Sequence, residues 1–267
     1  MKIEDRGSGA PVVLVPGIQG RWEWMQPAVD ALAARCRVIT FSFADEPSAE
    51  WTARGTGFAA YVEQVAQALD ASGVQQAAIC GVSYGGLIAS AFALRYPGRV
   101  SGLVLVSALP PSWKPDSRVR FYARNPRILL PLFFVGSLRL HREIAAATVG
   151  RFAGYSASLR QAVRALAHFP APTRMARRVS LAADVALDGL SELRVPALVI
   201  TGEPDLDRVV PPALTAEYSR LWPHAQMVTL ARTGHLGLVT RPDAFADALV
   251  PFVDACHRTE LSRRRVG

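Results

Sequence analysis

Short runs of predominantly apolar residues, separated by helix-length stretches, most limit what this chain can fold into. They are Pro11–Val15, Arg37–Phe43, Ala77–Cys80, Leu103–Val106, Ala197–Ile200 and Ala225–Leu230. A strand with one wet face alternates polar and apolar residues, so runs that stay apolar must be covered on both faces. Apolar residues recur at helical spacing between Trp22 and Arg35, from Phe58 to Leu69, along Leu87, Ala91 and Leu94, and from about Asp243 to His257. Strands alternating with such helices predict an α/β fold: a mostly parallel twisted sheet, helices on both faces and right-handed crossovers. In sheets of this kind the ligand lies beyond the carboxyl ends of the strands. Pro16-Gly17, Ser83, Ser107-Ala108, Gly202 to Asp207 and His235 all follow strand runs, so they are expected to converge on that edge.

The alternation breaks between Pro110 and about Leu193, where no convincing strand occurs. Helical patterns run near Val119 to Arg124, Leu138 to Val149, Ser158 to His168 and Thr173 to Leu187. This predicts a helical insertion across the top of the sheet, a lid. The resulting division is residues 1–112 and 194–258 as core, 113–193 as lid, and 259–267 as a basic tail expected to fray. Phe121, Tyr122, Leu129, Leu130, Phe133 and Phe134 would either line a substrate pocket or fasten the lid to the body. Phe133 and Phe134 are the candidate substrate contacts.

The chain's 267 residues are half apolar and 19% charged, which suits one large core and argues against disorder. The formal charge of +8 is concentrated: Lys114 to Arg178 holds thirteen Lys/Arg against Asp116 and Glu143, leaving the rest net negative. Those arginines lie among alanines and leucines without zinc-finger or RNA-binding spacing, so a nucleic-acid partner is not expected. A solvated helix face, or attraction of an anionic substrate or a membrane surface, accounts for them. Met1 to Arg6 lacks the apolar segment of a secretory signal, and Ile128 to Val135 is too short to span a bilayer. Cys36, Cys80 and Cys256 are odd in number and widely spaced, which predicts buried thiols in a cytoplasmic setting and neither disulfides nor a zinc site.

The chemistry centres on Gly81-Val82-Ser83-Tyr84-Gly85-Gly86. A serine flanked by glycines two residues either side, between a buried strand and a helix, is how a hydrolase exposes a serine nucleophile. A serine hydroxyl needs a base. Of five histidines, His141 and His168 fall in the insertion, His224 precedes a strand and His257 lies in the last helix. His235, in a glycine-bounded loop after a late strand, is the candidate base. The third member would be an acid that orients the imidazole. Asp205 and Asp207 both suit by position, Glu203 less so, and loop spacing does not decide among them. The developing oxyanion requires backbone donors. The N–H groups of Tyr84 and of Ile18 are the candidates, with Gln19 able to touch substrate or brace its loop.

These residues, with Ala93-Leu94-Arg95-Tyr96-Pro97, Val195 to Gly202 and Gly234-His235, resemble the α/β-hydrolase superfamily, specifically small bacterial serine hydrolases with a helical lid. The resemblance covers nearly the whole length and is weakest in the insertion. It implies Ser83 as nucleophile, His235 as base and no metal or organic cofactor. The family's Gly-x-x-Asp-x-x-x-Pro pattern selects Asp205 from its glycine and Asp207 from its proline; Asp207 is favoured because it keeps the spacing to the following helix. Pro16 stands where many relatives have histidine, and the antiparallel edge strands before Val12 are expected to be reduced. The implied substrate is a small molecule with an acyl or carbonyl group: a carboxylic ester, thioester or lactone. Hydrolysis of a carbon–carbon bond in a vinylogous diketone, or a non-catalytic ligand-binding role, are the alternatives.

Overall fold

The computed structural model describes residues 3–46, 57–126, 140–147 and 171–266. Among these, seven strands form one sheet in the order β1-β3-β2-β4-β5-β6-β7. They are β1 (Ile3–Arg6), β2 (Pro11–Val15), β3 (Arg37–Phe41), β4 (Ala77–Val82), β5 (Val100–Val106), β6 (Ala197–Thr201) and β7 (Gln226–Thr229). Every neighbouring pair is parallel except β1 on β3, so one four-residue strand is what remains of an antiparallel edge.

The apolar runs divide residue by residue between two cores. Val13, Ile39, Ile79, Leu103 and Ala197 pair across the sheet and face one side. Helices α2 (Ala59–Ala71) and α3 (Tyr84–Arg95) cover that side with Val65, Leu69, Ile88 and Phe92. Leu14, Cys80, Val104 and Leu198 pair one position later and face the opposite side. There α1 (Gln26–Ala33) contributes Val29 and Leu32, and the last helix contributes Phe245, Leu249 and Val253. A one-residue slip would exchange the two faces of a strand, so this double burial fixes register. Thr40 is the polar member of the second row, and its hydroxyl donates to the Leu14 carbonyl at 2.7 Å. The three cysteines are buried and free.

Two expectations change. The pattern from Trp22 to Arg35 is a 3-10 turn, Trp22–Met25, followed by α1. Pro27 suits the first turn of α1, where its missing N–H costs no bond. The last helix runs from Pro242 to Val266, so the basic segment expected to fray is helical. No glycine or proline stands between His257 and Val266 to stop it.

The described part of the insertion is helical: α4 (Ser117–Arg124), then Leu140–Ala147 and Pro172–Ala183. Asp116 caps α4 by accepting the Val119 N–H at 2.8 Å. These segments form a lid-like region. The pattern from Ser158 to His168, and Leu129, Leu130, Phe133 and Phe134, lie outside the described residues. No described helix is long and apolar enough to cross a membrane.

Candidate active site

Strand β4 delivers Ser83 at φ 54°, ψ −116°, immediately before α3. A non-glycine residue there carries about 1–3 kcal/mol of strain and must be held by its surroundings. Its N–H donates to the Val106 carbonyl at 2.9 Å, and its own carbonyl accepts the Gly86 N–H at 3.0 Å. A side chain at position 81 would overlap the Gly85 carbonyl oxygen, and one at position 85 would come within 2.5 Å of the Pro16 oxygen. Both glycines are therefore required by backbone closeness. The loop after β2 meets the same spot: a Cβ at Gly17 would sit 3.6 Å from the Ser83 Cβ and 3.1 Å from the Gln19 Oε1. That loop is a tight turn in which the Gly20 N–H donates to the Gly17 carbonyl at 2.9 Å.

The loops after β6 and β7 pack backbone against backbone. A Cβ at Gly202 would fall 2.6 Å from Gly234, and one at Gly234 would fall 2.5 Å from the Leu206 oxygen. Glu203 ties them further, accepting the Arg232 N–H at 2.8 Å through its side chain and donating its own N–H to Thr233 at 2.7 Å. This closeness sets Asp207 Oδ2 3.4 Å from His235 Nδ1. Asp207 is 2% exposed, and its Oδ1 accepts the N–H groups of Val209 at 3.1 Å and Val210 at 2.9 Å. Burial alone would raise its pKa, but the His235 contact and those two donors outweigh it and hold the carboxyl below its ordinary range. An ionised Asp207 accepts a hydrogen bond from Nδ1–H, which leaves Nε2 as the basic nitrogen of His235. Asp205 is exposed. Asp45 is engaged with Arg178 Nη2 at 2.7 Å and the Tyr61 hydroxyl at 3.0 Å.

Sequence reasoning passed over two lid residues that touch these loops. Glu143, on the helix Leu140–Ala147, is completely buried, and its Oε1 accepts the Leu236 N–H at 2.6 Å, one residue beyond His235. Among the described residues its Oε2 has no hydrogen-bond partner. Burial pushes the carboxyl up to about 7, against the opposing pull of the Gly234 and Leu236 N–H groups and of His235. One sequence signal existed: Glu143 lies one helical turn before Ala147, also buried, so an acid occupies the apolar face. The second residue is Arg178, completely buried on the helix Pro172–Ala183, with Nη1 2.7 Å from the Ile18 carbonyl. Among the described residues, no group of three or more His, Cys, Asp or Glu is placed to hold a metal ion.

The arrangement is a strained serine, a carboxylate-bound imidazole and a tight turn gathered at the carboxyl edge of one sheet. The chain is 30% identical over 262 residues to the pimeloyl-[acyl-carrier protein] methyl ester esterase of Vibrio atlanticus, covering 92% of this chain and 95% of that one. It is 27% identical over 276 residues to the 2-hydroxymuconate semialdehyde hydrolase of Pseudomonas putida, covering 96% and 92%. Its fold matches a thermophilic esterase from Thermogutta terrifontis with a TM-score of 0.77 at 23% identity, over 96% of this chain and 93% of that one. The model of the alpha/beta hydrolase fold matches residues 10–242. The chain belongs to the α/β-hydrolase family.

Proposed function

We propose that the protein hydrolyses a carboxylic ester, thioester or lactone through an acyl-enzyme on Ser83. Ser83 Oγ attacks the substrate carbonyl carbon while His235 Nε2 takes its proton. The Tyr84 and Ile18 N–H groups hold the resulting oxyanion. Collapse of the intermediate breaks the bond to the leaving oxygen or sulfur, which receives the proton from His235. Water then attacks the acyl group with His235 again as base, and the acid leaves as Ser83 is restored. Asp207 keeps the imidazole in one tautomer and stabilises it when protonated.

The observation that carries this reading is the Asp207–His235 pair at 3.4 Å on the edge where Ser83 stands strained. The ester-cleaving relative supports the substrate class, and the basic insertion suits an anionic or uncharged acyl compound. The relative from Pseudomonas putida supports a second reading, carbon–carbon hydrolysis of a ring-cleavage dienone. That chemistry asks the insertion for an arginine to hold a substrate carboxylate. Arg174 and Arg178 already bind Glu46, at 3.2 and 2.7 Å, so that role would fall to another arginine of the insertion.

Wild type and Ser83→Ala assayed on short and medium acyl esters, lactones and ring-cleavage dienones test both. Ester turnover should fall at least about a thousandfold in Ser83→Ala with melting temperature nearly unchanged. A fluorophosphonate should label Ser83 alone. Near-normal turnover in the variant, or an adduct on another serine, would sink the covalent mechanism. Turnover of dienones alone would select the second reading.

A further inference from the structure

The guanidinium of Arg178 lies completely inside the protein, against the underside of the loop that follows β2. Burying it is costly unless it is paired and hydrogen-bonded. Nη2 donates to Asp45 Oδ1 and to Glu46 Oε1, both at 2.7 Å, and the group lies 5.1 Å over the Phe43 ring. Arg174, one turn earlier on the same helix, meets Glu46 at 3.2 Å, so the cluster balances two cations with two carboxylates. That account leaves one contact unexplained. Nη1 is spent on a backbone carbonyl, that of Ile18, at 2.7 Å.

The loop is shaped to receive it. A Cβ at Gly20 would fall 2.5 Å from the guanidinium carbon and both terminal nitrogens, and Gly20 has φ +71°. Three successive anchors then hold the turn: the Gly17 carbonyl accepts from Gly20, the Ile18 carbonyl from Arg178, and the Gly20 carbonyl from the Phe43 N–H at 2.8 Å. Among the described residues no peptide bond is cis. In a trans peptide the N–H points opposite the carbonyl, so fixing the Gly17 and Ile18 carbonyls fixes the directions of the Ile18 and Gln19 N–H groups.

We infer that Arg178 is a positioning residue for the oxyanion site: the lid helix Pro172–Ala183 grips the Ile18 carbonyl, fixing the Ile18–Gln19 peptide directly and, through the Ile18 Cα, steadying the neighbouring Gly17–Ile18 peptide whose N–H is the proposed donor. The inference rests on the proposed role of Ile18 as a donor. It makes this helix a component of the catalytic centre as well as a cover over it. Arginine suits the task because its rigid fork reaches two carboxylates and a carbonyl together; lysine supplies a point charge that cannot satisfy all three. A cluster that merely staples the lid to the body predicts lost stability and unchanged chemistry.

The test compares wild type, Arg178→Lys, Arg178→Met and Ser83→Ala, each well below its own melting temperature. The substrate is a short acyl ester, and an alkyl boronic acid or trifluoromethyl ketone serves as transition-state analogue. Loss of one oxyanion donor costs about 10²–10³ in kcat. Arg178→Met should approach that loss with KM changed by less than about threefold, and analogue affinity should fall in proportion to kcat/KM. Arg178→Lys should fall between Met and wild type, and it carries the test if the Met variant does not fold. Full kcat and analogue affinity in the Arg178 variants, with Ser83→Ala inactive, overturns the positioning role and leaves the serine mechanism standing. Activity retained in Ser83→Ala overturns the mechanism itself and removes the basis of the inference.

Discussion

Replacing Glu143 by glutamine should make the protein more stable, and more so as pH rises. Glutamine keeps the shape and an oxygen that can accept the Leu236 N–H, the bond made at 2.6 Å in the wild type. It removes the ability to ionise and puts an NH2 group in place of the other oxygen. Burial raises the Glu143 carboxyl from 4.5 to about 7, a difference worth about 3 kcal/mol between its two protonation states. The sign follows from proton binding. Below pH 4.5 the group is protonated in both folded and unfolded chains, and its contribution to stability is fully present. As pH rises through about 7 the folded state must take a charge into a buried site where none of the described residues forms an ion pair with it, and that contribution is lost. Glu143→Gln should therefore match wild type near pH 4.5 and exceed it by up to about 3 kcal/mol at pH 8, roughly 5–10 °C in melting temperature for a chain of this size. Calorimetric scans of both proteins at unit intervals from pH 5 to 8 measure the gap. A gap that stays constant with pH, or narrows as pH rises, refutes the reasoning.

Asp207→Asn should reduce kcat by about 10⁴ with KM nearly unchanged, as it disturbs the imidazole tautomer more than binding, whereas Asp205→Asn should stay near wild type. The reverse ranking in steady-state kinetics would transfer the acid's role to Asp205. Phe133→Ala or Phe134→Ala should shift preference between a short and a longer acyl ester, since a lost methylene contact is worth about 1–3 kcal/mol. Unchanged relative kcat/KM with a stability loss of about 3–5 kcal/mol would instead place these rings in packing.

The sheet was legible because its physics is local. Runs such as Val12 to Val15 and Ala77 to Val82 are apolar throughout, since each residue faces one of two covered sides. Ser83 was legible for a related reason: the crowding that requires Gly81 and Gly85 arises within a few residues and shows as a spacing. The edge strand β1 escaped, because three of the four residues in Ile3-Glu4-Asp5-Arg6 are charged and the strand is held by pairing with β3. Spacing could not separate Asp205 from Asp207. What separates them is a fold-back in which Asp207 donates its N–H to the Glu203 carbonyl at 3.0 Å and turns its side chain under Val209 and Val210. Glu143 and Arg178 were invisible for a further reason. Their backbone partners lie 93 and 160 positions away, and a charged residue on a lid helix reads as solvated until its partners are placed around it.

Those two lid residues reach opposite halves of the candidate site, and their electrostatics differ in a way that stability can report. Glu143 is buried with no ion pair among the described residues, so neutralising it relieves a cost. Arg178 is buried against Glu46, itself completely buried, so neutralising the arginine strands a carboxylate. Breaking a buried pair from one side costs about 3–5 kcal/mol, much of it the uncompensated charge that remains. Arg178→Met should lose most of that amount, reduced because Arg174 still meets Glu46 at 3.2 Å. Adding Glu46→Gln removes the stranded charge, so the double variant should be more stable than Arg178→Met alone. Catalysis should not recover with it, because the Ile18 carbonyl still lacks its donor. Urea unfolding and ester kinetics on the single and double variants separate the two effects. Recovery of both together would show that Arg178 acts only by balancing Glu46, and recovery of neither would assign the loss to packing over Phe43.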